Sequence, residues 1–266
     1  MSINKRGLPL TDFHSHIVYG VDDGAKDEAA TLEMLKIAEK SGSNNIVATP
    51  HFFMGRFEVT YGDIRKKVEK INLMAKENGI AMKVYCGQEV YYTNRILESY
   101  KTGDIGTING SRYMLIELPM MNFSMTEVMD NIYELQIKGI VPIIAHPERY
   151  RRFIKEPQLI NKLIKEGFLF QLNTGSLIGE FGKDVKKTAE IFVKHRIYSV
   201  IGSDGHRVKD RTADMKLGVL EIEKLQPGYI EEINKTGESI LNNEETNFQG
   251  KKIEKKKGLL GFIKRK

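Results

Sequence analysis

The amino-acid sequence predicts an α/β fold in which seven parallel strands, covered by helices, form a barrel. Stretches of nearly continuous apolar residues alternate along the chain with stretches whose apolar residues recur at helical spacing. This alternation is typical of parallel strands that pack under helices. Seven stretches are predicted as strands, and that many units in a chain of 266 residues suit a single barrel domain.

The first predicted strand carries two histidines on one side. In Asp12-Phe13-His14-Ser15-His16 apolar and polar residues alternate, which places His14 and His16 on the same face of a strand. Neutral imidazole nitrogens are good ligands for divalent ions, so the pair forms half of a metal site, with Asp12 on the same face. An isolated pair is nevertheless better explained as ordinary polar residues near the N-terminus, and only the rest of the chain favours a metal.

A loop with two adjacent acids, Asp22 and Asp23, follows this strand. Its glycines allow sharp turns, and Asp23 could either reach back to the histidines or cap the next helix. Helices are predicted near 27–41, 63–78, 126–138 and 184–196, and a glycine follows each of the first three. The other strands are predicted at 45–51, 82–89, 112–118, 140–146, 168–173 and 197–206.

Histidines and acids gather where the predicted strands end. In α/β barrels the working groups stand at the C-terminal ends of the strands. Five of the six histidines lie there, whereas His195 lies in a predicted helix and resembles an ordinary helix residue. Because isolated burial of a charge is costly, shared metal ligation is the simpler explanation for the others. The polar strand-end residues are His14, His16, His51, Glu89, Glu117, His146, Asn173, Asp204 and His206.

The number of candidate ligands indicates more than one metal ion. Four or five groups suffice for one ion with an open position, but this chain offers five histidines and at least four acids. We therefore expect two or three ions that share a bridging carboxylate. Imidazole and carboxylate without thiolate suit Mn²⁺, Fe²⁺ or Zn²⁺ and disfavour a structural zinc site. The acids are Asp23, Glu89, Glu117 and Asp204, with Asp12 in reserve.

The net charge of +6 is concentrated at the C-terminal end of the chain. Residues 251–266 hold seven lysines, one arginine and one glutamate, a charge of +7, which leaves −1 for residues 1–250. A nearly neutral body argues against an extended nucleic-acid footprint. We predict one domain over 1–250 and a basic, apolar tail over 251–266. The tail is either a disordered solvated end or a weak membrane-surface or partner-docking element.

Cysteine usage and hydropathy predict a cytoplasmic protein. Cys86 is the single cysteine, so no intramolecular disulfide can form. No apolar run approaches the length of a membrane span or of a signal-peptide core. The sequence thus shows neither a cysteine pair, which is typical of proteins in oxidising compartments, nor an apolar run long enough for a membrane span.

Six short segments occur in a specific order and spacing: Thr11-Asp12-Phe13-His14-Ser15-His16, Thr49-Pro50-His51, Gly87-Gln88-Glu89, Ile116-Glu117, Ala145-His146-Pro147-Glu148-Arg149-Tyr150 and Ser203-Asp204-Gly205-His206. Together they resemble the polymerase-and-histidinol-phosphatase (PHP) family. The chain is most similar to its metal-dependent protein-tyrosine phosphatases of bacterial capsular and exopolysaccharide loci, the CpsB/YwqE type. The resemblance runs from Asp12 to about residue 245 and implies a distorted seven-stranded (β/α)7 barrel with a trinuclear site at the C-terminal strand ends.

The resemblance also implies a role for each residue. Arg149, in a firm motif, and Arg211, in a looser segment, would bind phosphate; for Arg211 a plain surface position competes with this role. Mn²⁺ is the first candidate metal, with Fe²⁺ or Zn²⁺ as alternatives. One ion would be held by His14, His16, Glu89 and Asp204, a second by Glu89, Glu117 and His146, and a third by Asp23, His51 and His206.

The implied activity is hydrolysis of phosphotyrosine on a protein, with the cytoplasmic tail of a bacterial tyrosine kinase that controls capsular or exopolysaccharide synthesis as partner. Divalent ions lower the pKa of bound water, so a metal-bound hydroxide would attack phosphorus while the arginines neutralise the phosphate. No thiolate is needed. Cys86 lies inside an apolar strand, and position 92, where cysteine-dependent phosphatases require an arginine, is Tyr92.

Three other functions are alternatives to this activity. A histidinol-phosphate or other small-monoester phosphatase would use the same metals, and the ligands cannot separate it from the tyrosine branch, which the segment after His146 and the basic tail favour by analogy. A non-catalytic binding module would be expected to have lost ligands. Nucleic-acid processing, as in polymerase-associated PHP domains, conflicts with the nearly neutral body.

Overall fold

The computed structural model describes residues 10–254, and within that range parallel strands alternate with helices. The strands are β1 Leu10–Ser15, β2 Ser43–Ala48, β3 His51–Phe52, β4 Lys83–Cys86, β5 Glu89–Tyr91, β6 Tyr113–Glu117, β7 Val141–Ile144, β8 Leu169–Asn173 and β9 Val200–Gly202. The α-helices are α1 Glu28–Ser41, α2 Tyr61–Glu77, α3 Ile96–Thr102, α4 Met125–Ile137, α5 Arg151–Lys155, α6 Ile160–Lys165, α7 Thr174–Ile178, α8 Lys183–Lys194, α9 Lys216–Leu225 and α10 Tyr229–Leu241.

Two of the seven predicted strands are each interrupted by a short break. The predicted strand 45–51 divides at Thr49-Pro50, and the predicted strand 82–89 divides at Gly87-Gln88. Proline has no backbone N–H to donate to a neighbouring strand, which explains the first break. The strand segments form two sheets, β1-β2-β4 and β3-β5-β6-β7-β8-β9. The described chain therefore has nine strand segments in two sheets and not the seven uninterrupted strands that were predicted.

The first strand lies beside the chain that leaves the last one. The backbone N–H of Asp204 donates to His14 O at 2.7 Å, and the N–H of His16 donates to Gly205 O at 2.8 Å. A parallel bridge joins Ser15 to Gly205 in the same region. Since all paired strands are parallel, their C-terminal ends open toward the same side of the molecule. This side carries the predicted ligands.

The four predicted helices are present, with shifts of one or two residues at their ends. α1 begins after Asp27, whose side chain accepts a hydrogen bond from the first turn, and ends at Gly42, which has φ 103°. α2 begins at Tyr61 instead of residue 63, because Thr60 caps the helix by accepting from the Asp63 N–H. The remaining helices were not predicted. They are short or, in the case of α9 and α10, follow the last strand.

Helices pack on the sheets through one apolar face. In α8 the buried residues Val185, Ala189, Phe192 and Val193 recur at the spacing of a single helical face. The helix ends at His195, whose Nδ1 lies 2.8 Å from a backbone oxygen of the last turn. His195 was predicted inside this helix and is instead the residue that caps its C-terminal end, and it belongs to none of the ligand groups found among the described residues.

The last described residues remain in contact with the body. Asn161 on α6 exchanges two hydrogen bonds with the backbone of Ile253, whose side chain is buried. The predicted tail covers 251–266. Its described part, 251–254, contacts the domain through Ile253, and 255–266 lie outside the described residues. Between residues 10 and 254, no helix is both long enough and apolar enough to cross a lipid bilayer.

Candidate metal centre

The C-terminal strand ends bring all nine predicted ligands into one cluster. Four groups of histidines and acids have donor atoms within 4.8 Å of one another. In the described part of the chain, these groups contain the nine predicted ligands and no other residue. The groups are His16, Asp23, His51 and His206; His14, Glu89 and His146; His14, His16 and Asp204; and His51, Glu89 and Glu117.

His14 and His16 point toward each other from the end of β1. Their Nε2 atoms lie 3.2 Å apart, and both side chains are fully buried. The other ring nitrogen of each histidine has a fixed partner: His14 Nδ1 contacts Gln171 Oε1 at 2.9 Å, and His16 Nδ1 contacts Asp22 Oδ2 at 2.7 Å. These oxygens accept hydrogen bonds, so the Nδ1 atoms carry the protons. Both Nε2 atoms face the same point, where a bound metal would take their lone pairs.

Glu89 contacts more histidines than any other carboxylate of the cluster. Its Oε2 lies 3.2 Å from His14 Nε2, 3.4 Å from His16 Nε2 and 3.0 Å from His51 Nδ1. Its Oε1 lies 3.0 Å from His146 Nε2. Burial raises the pKa of Glu89, but the surrounding imidazoles outweigh burial and hold it well below the usual range. Glu89 is therefore an ionised carboxylate that contacts four imidazoles.

The contact between Glu89 and His51 does not have the geometry of a hydrogen bond. The buried Nδ1 atom of His51 lacks a hydrogen-bond partner although Glu89 Oε2 is only 3.0 Å away. A ring nitrogen and a carboxylate oxygen that approach each other without a hydrogen bond between them are typical of donor atoms gathered around metal ions. The arrangement fits a bound divalent ion better than it fits a protein hydrogen bond.

Glu117 shows how much negative charge the cluster concentrates. Its oxygens lie 3.9 Å from His51 Nδ1 and 3.8 Å from His146 Nε2. Burial first, and then repulsion from Glu89 and Asp204, raise the pKa of Glu117 to about 9. A divalent cation would remove this penalty by neutralising the carboxylates. The chemistry of the donor set thus fits a centre that holds several divalent ions.

Asp23 and His206 complete the more open side of the cluster. Asp23 Oδ1 lies 3.8 Å from His51 Nε2 and 3.7 Å from His206 Nε2. The Nδ1 atom of His206 contacts Asp204 O at 2.8 Å, which orients its Nε2 toward Asp23. Burial and the nearby His16 lower the pKa of His206 to about 2, so the ring is neutral and able to act as a ligand. The side chain of Asp23 is 43% exposed, and this side of the cluster faces solvent.

Asp204 joins the histidines to both predicted phosphate-binding arginines. Its Oδ1 lies 3.4 Å from His16 Nε2, while its Oδ2 accepts hydrogen bonds from Arg149 and Arg211, each at 2.7 Å. Burial opposes the ionised form of Asp204, but the adjacent histidines and guanidinium groups hold its pKa well below the usual range. Both arginines lie directly against the ligand cluster, including Arg211, for which a surface position had been a competing prediction.

Two tight turns place these arginines. Arg149 ends the short 3-10 turn Pro147–Arg149, which follows His146 at φ 30°. Its guanidinium lies 4.3 Å above the ring of Phe181. Arg211, with φ 48°, closes a turn in which its carbonyl accepts a hydrogen bond from the His206 N–H at 2.7 Å. The segment 207–211, which seemed loosely related to the family motif, is therefore folded back onto the predicted ligand His206.

Glu148 anchors the turn that carries Arg149. The carboxylate is fully buried and accepts hydrogen bonds from Asn173 N–H, the Ser176 hydroxyl and the Tyr198 hydroxyl. Burial raises the pKa of Glu148 to about 7, against the effect of these donors. The turn is thus tied to the end of β8, and this holds Arg149 beside the cluster.

Sequence reasoning missed two residues that orient the histidines. Asp22 accepts hydrogen bonds from His16 Nδ1 and from the backbone of His51, and Gln171 Oε1 accepts from His14 Nδ1 and from the backbone N–H of His146. Asp22 is adjacent to the predicted Asp23, but Gln171 gave no sequence signal beyond its place in a strand. These contacts fix ring tautomers and orientation, which is the usual task of residues behind metal ligands.

Asp12, held in reserve as a ligand, has a structural role. Its Oδ1 accepts from the N–H groups of His14 and Ser203, and its Oδ2 accepts from the Ser203 hydroxyl at 2.6 Å. The carboxylate therefore ties β1 to the residue after β9. It belongs to none of the ligand groups found among the described residues.

Comparisons with known proteins point to one family. A model of the family described as capsular polysaccharide synthesis, CpsB/CapC, matches residues 10–241. The CapC protein of Staphylococcus aureus is 34% identical over 90% of this chain and 94% of its own length. The tyrosine-protein phosphatase YwqE of Bacillus subtilis is 30% identical over 96% of this chain and its full length.

A solved structure shows the same fold at high similarity. It comes from crystal structures of YwqE from Bacillus subtilis and CpsB from Streptococcus pneumoniae, described as unique metal-dependent tyrosine phosphatases. It superposes with a TM-score of 0.85 at 29% identity and covers 92% of this chain and all of that chain. The resemblance inferred from the strand-end segments is confirmed, and this chain belongs to the capsular polysaccharide synthesis CpsB/CapC family.

Proposed function

We propose that this chain is a metal-dependent protein-tyrosine phosphatase. The observation that carries the proposal is the convergence of nine imidazole and carboxylate ligands with two arginines on one face of the fold. Such a site suits a dianionic phosphate ester, because cations and guanidinium groups both stabilise its negative charge. The YwqE relative named above is a tyrosine-protein phosphatase, and we assign the same reaction here.

We assign the ligands to two or three divalent ions, with Mn²⁺ as the first candidate and Fe²⁺ or Zn²⁺ as alternatives. The short contacts of Glu89 with four imidazoles support its role as the bridging ligand. The absence of any thiolate from the set favours these ions over a structural zinc site. The proposed sets are those that the family resemblance implies: His14, His16, Glu89 and Asp204; Glu89, Glu117 and His146; and Asp23, His51 and His206. The four groups of close donor atoms in the structure divide the same nine residues differently.

Bound divalent ions would lower the pKa of water, which supplies a nucleophile at neutral pH, and would withdraw charge from the phosphate oxygens. The protein binds and orients the ester. A guanidinium has five N–H donors, so Arg149 can keep its contact with Asp204 and still donate to a phosphate oxygen. Packing against Phe181 restricts its orientation, and Arg211 approaches the same carboxylate oxygen from the other turn.

We further propose that the fold is a distorted seven-stranded barrel, if each interrupted pair of strand segments is counted as one strand. Support comes from the bridge between β1 and the segment after β9. The proposed domain covers 1–250, the proposed location is the cytoplasm, and the proposed partner is the phosphotyrosine-containing tail of a kinase that controls capsular or exopolysaccharide synthesis. The family description and the relatives' names motivate this partner.

Phosphatase turnover by purified full-length protein tests the activity. We expect Mn²⁺-dependent hydrolysis of a phosphotyrosyl peptide, with much slower hydrolysis of histidinol phosphate. Excess chelator should abolish turnover and lower the melting temperature, because buried carboxylates and histidines lose their neutralising charge. Full turnover in chelator, with metal analysis showing no bound metal, would refute the mechanism. Faster turnover of histidinol phosphate than of the peptide would reassign the substrate.

A further inference from the structure

Three partly exposed aromatic residues, Phe53, Phe57 and Tyr91, lie at the mouth of the metal centre, and we call them the aromatic rim. The rings of Phe53 and Tyr91 are stacked, with centroids 4.1 Å apart and planes 12° from parallel. The ring of Phe57 is stacked on the ligand His51, with centroids 5.8 Å apart and planes 8° from parallel. The rim therefore borders the ligand cluster on the His51 side.

Strand register sets the height of the rim above the metal ligands. β3 and β5 are parallel neighbours in which His51 pairs with Glu89. Phe53 and Tyr91 each follow their ligand by two residues, so they share its face of the sheet. At a rise of about 3.3 Å per residue they stand about 7 Å beyond the ligands, toward the open end of the site.

A short turn holds two of the rim residues in place. Phe53 and Phe57 form an isolated antiparallel bridge through two backbone hydrogen bonds of 2.7 and 2.8 Å. Gly55 lies in the turn between them with φ 81°, a conformation that glycine adopts without strain. The position of the rim is thus set by backbone bonding to the strand that carries His51.

Packing in the core does not account for these rings. All three are partly exposed, and none belongs to the apolar clusters formed by the described residues or packs against them. Because the three rings are only partly buried, some of their apolar surface stays in contact with water, which is unfavourable. A ligand with an apolar part would supply the missing contact.

We propose that the aromatic rim binds the aryl ring of the phosphate ester and that Phe53 and Tyr91 determine specificity for aryl over alkyl phosphates; this rests on the proposed phosphatase function. A phosphate that reaches the metal ligands places the ring of its ester one oxygen bridge further out. The rim stands at that level. Aromatic rings attract one another when stacked with offset or edge to face, whereas an alkyl chain gains much less.

The test measures binding apart from turnover. Phenylphosphonate and methylphosphonate are titrated by calorimetry into Mn²⁺-loaded full-length protein, and the ratio of their dissociation constants gives the aryl preference. We expect Phe53→Ala to reduce this ratio about three- to tenfold, the range expected for one aromatic contact, with methylphosphonate binding unchanged. Phe53→Leu, which keeps apolar volume, should also reduce the ratio, and Phe53→Tyr should restore it.

A matched control variant shows whether a change in the aryl preference is specific to the aromatic rim. Tyr133→Ala on α4 removes an exposed aromatic ring (58% exposed) away from the centre and should leave the ratio unchanged. Metal content and melting temperature are compared for all variants. An unchanged ratio in Phe53→Leu, or an equal loss of affinity for both phosphonates with metal retained, overturns the inference. Failure of the wild type to hydrolyse any phosphate ester, with the aryl preference intact, would instead refute the proposed function alone.

Discussion

Replacing Asp22 should weaken metal binding although Asp22 is not itself a proposed ligand. Its fully buried side chain accepts three hydrogen bonds, from His16 Nδ1 at 2.7 Å, His51 N–H at 2.9 Å and Gly24 N–H at 2.9 Å. The first bond keeps the proton of His16 on Nδ1 and its Nε2 available as a ligand. Loss of such an orienting carboxylate typically costs about 10- to 100-fold in metal affinity.

Two substitutions of Asp22 should lower metal affinity by different factors. In Asp22→Asn the amide oxygen can still accept from His16 and His51, while the NH₂ group faces the Gly24 N–H, so we expect the lower end, about tenfold. In Asp22→Ala all three hydrogen bonds are lost and their three donors lose this partner, so we expect about 100-fold. The difference between the variants separates the orienting hydrogen bond from the rest of the side chain.

Turnover of a phosphotyrosyl peptide, titrated with Mn²⁺ after chelation, gives the apparent metal affinity of each variant. Asp27→Ala is the matched control from the same loop: Asp27 caps α1, so its loss should lower the melting temperature without changing metal affinity. If Asp22→Ala bound Mn²⁺ as tightly as the wild type, the orienting role of Asp22 would have to be abandoned.

Three further outcomes follow from the structure. Burial raises the pKa of Cys86 to about 12, so Cys86→Ser should keep most activity, whereas His14→Ala should lose metal and nearly all turnover; an inactive Cys86→Ser beside an active, metal-free His14→Ala would contradict the mechanism. Arg149→Ala should raise KM for the phosphotyrosyl peptide at least tenfold with metal content unchanged, as metal analysis of the variant can show. Deleting 255–266, which carry five lysines and one arginine and no acid, should leave turnover of a small aryl phosphate unchanged and weaken binding to anionic vesicles, most at low salt; loss of catalysis would place the tail in the fold.

The cluster of candidate ligands could be predicted from sequence because barrel geometry makes the positions of strand-end residues regular. A histidine or acid that ends an apolar strand faces the same opening whichever strand carries it, so Glu89 and His146 could be paired before any distance was known. Gln171 could not be found in this way. It lies 157 residues from His14, and its side chain reaches the back of the imidazole only after β8 and β1 have been brought together.

The departures from the predicted fold have local causes. Pro50 interrupts a strand that apolar periodicity alone predicts as continuous, since periodicity does not register a missing N–H. Helix α10 was missed although its apolar residues recur at helical spacing. Its fit also depends on Gly237, where a Cβ would lie 2.6 Å from the ring of Phe13. A close approach between segments that are distant in sequence cannot be predicted from the local residue pattern of either segment.

A substitution of Asp12 can show whether this buried acid binds metal or only links β1 to Ser203. Burial raises its pKa to about 6, so folding favours the protonated carboxyl. The folded state therefore holds more protons than the unfolded state between the ordinary pKa of 3.8 and about 6, and stability from this group increases as pH falls through that window. A shift of about two units corresponds to about 3 kcal/mol at most.

Asp12→Asn removes this titration while keeping the shape of the side chain. The amide oxygen can accept from His14 N–H and Ser203 N–H, and the NH₂ group can donate to the Ser203 hydroxyl, which lies 3.3 Å from His14 O and can donate there. We expect the variant to bind Mn²⁺ normally and to be more stable than the wild type at pH 7. This advantage should shrink toward pH 4 in thermal melts of both proteins. A variant that loses metal instead would make Asp12 a ligand, because a structural tie replaced by an equivalent amide has no reason to affect the ions.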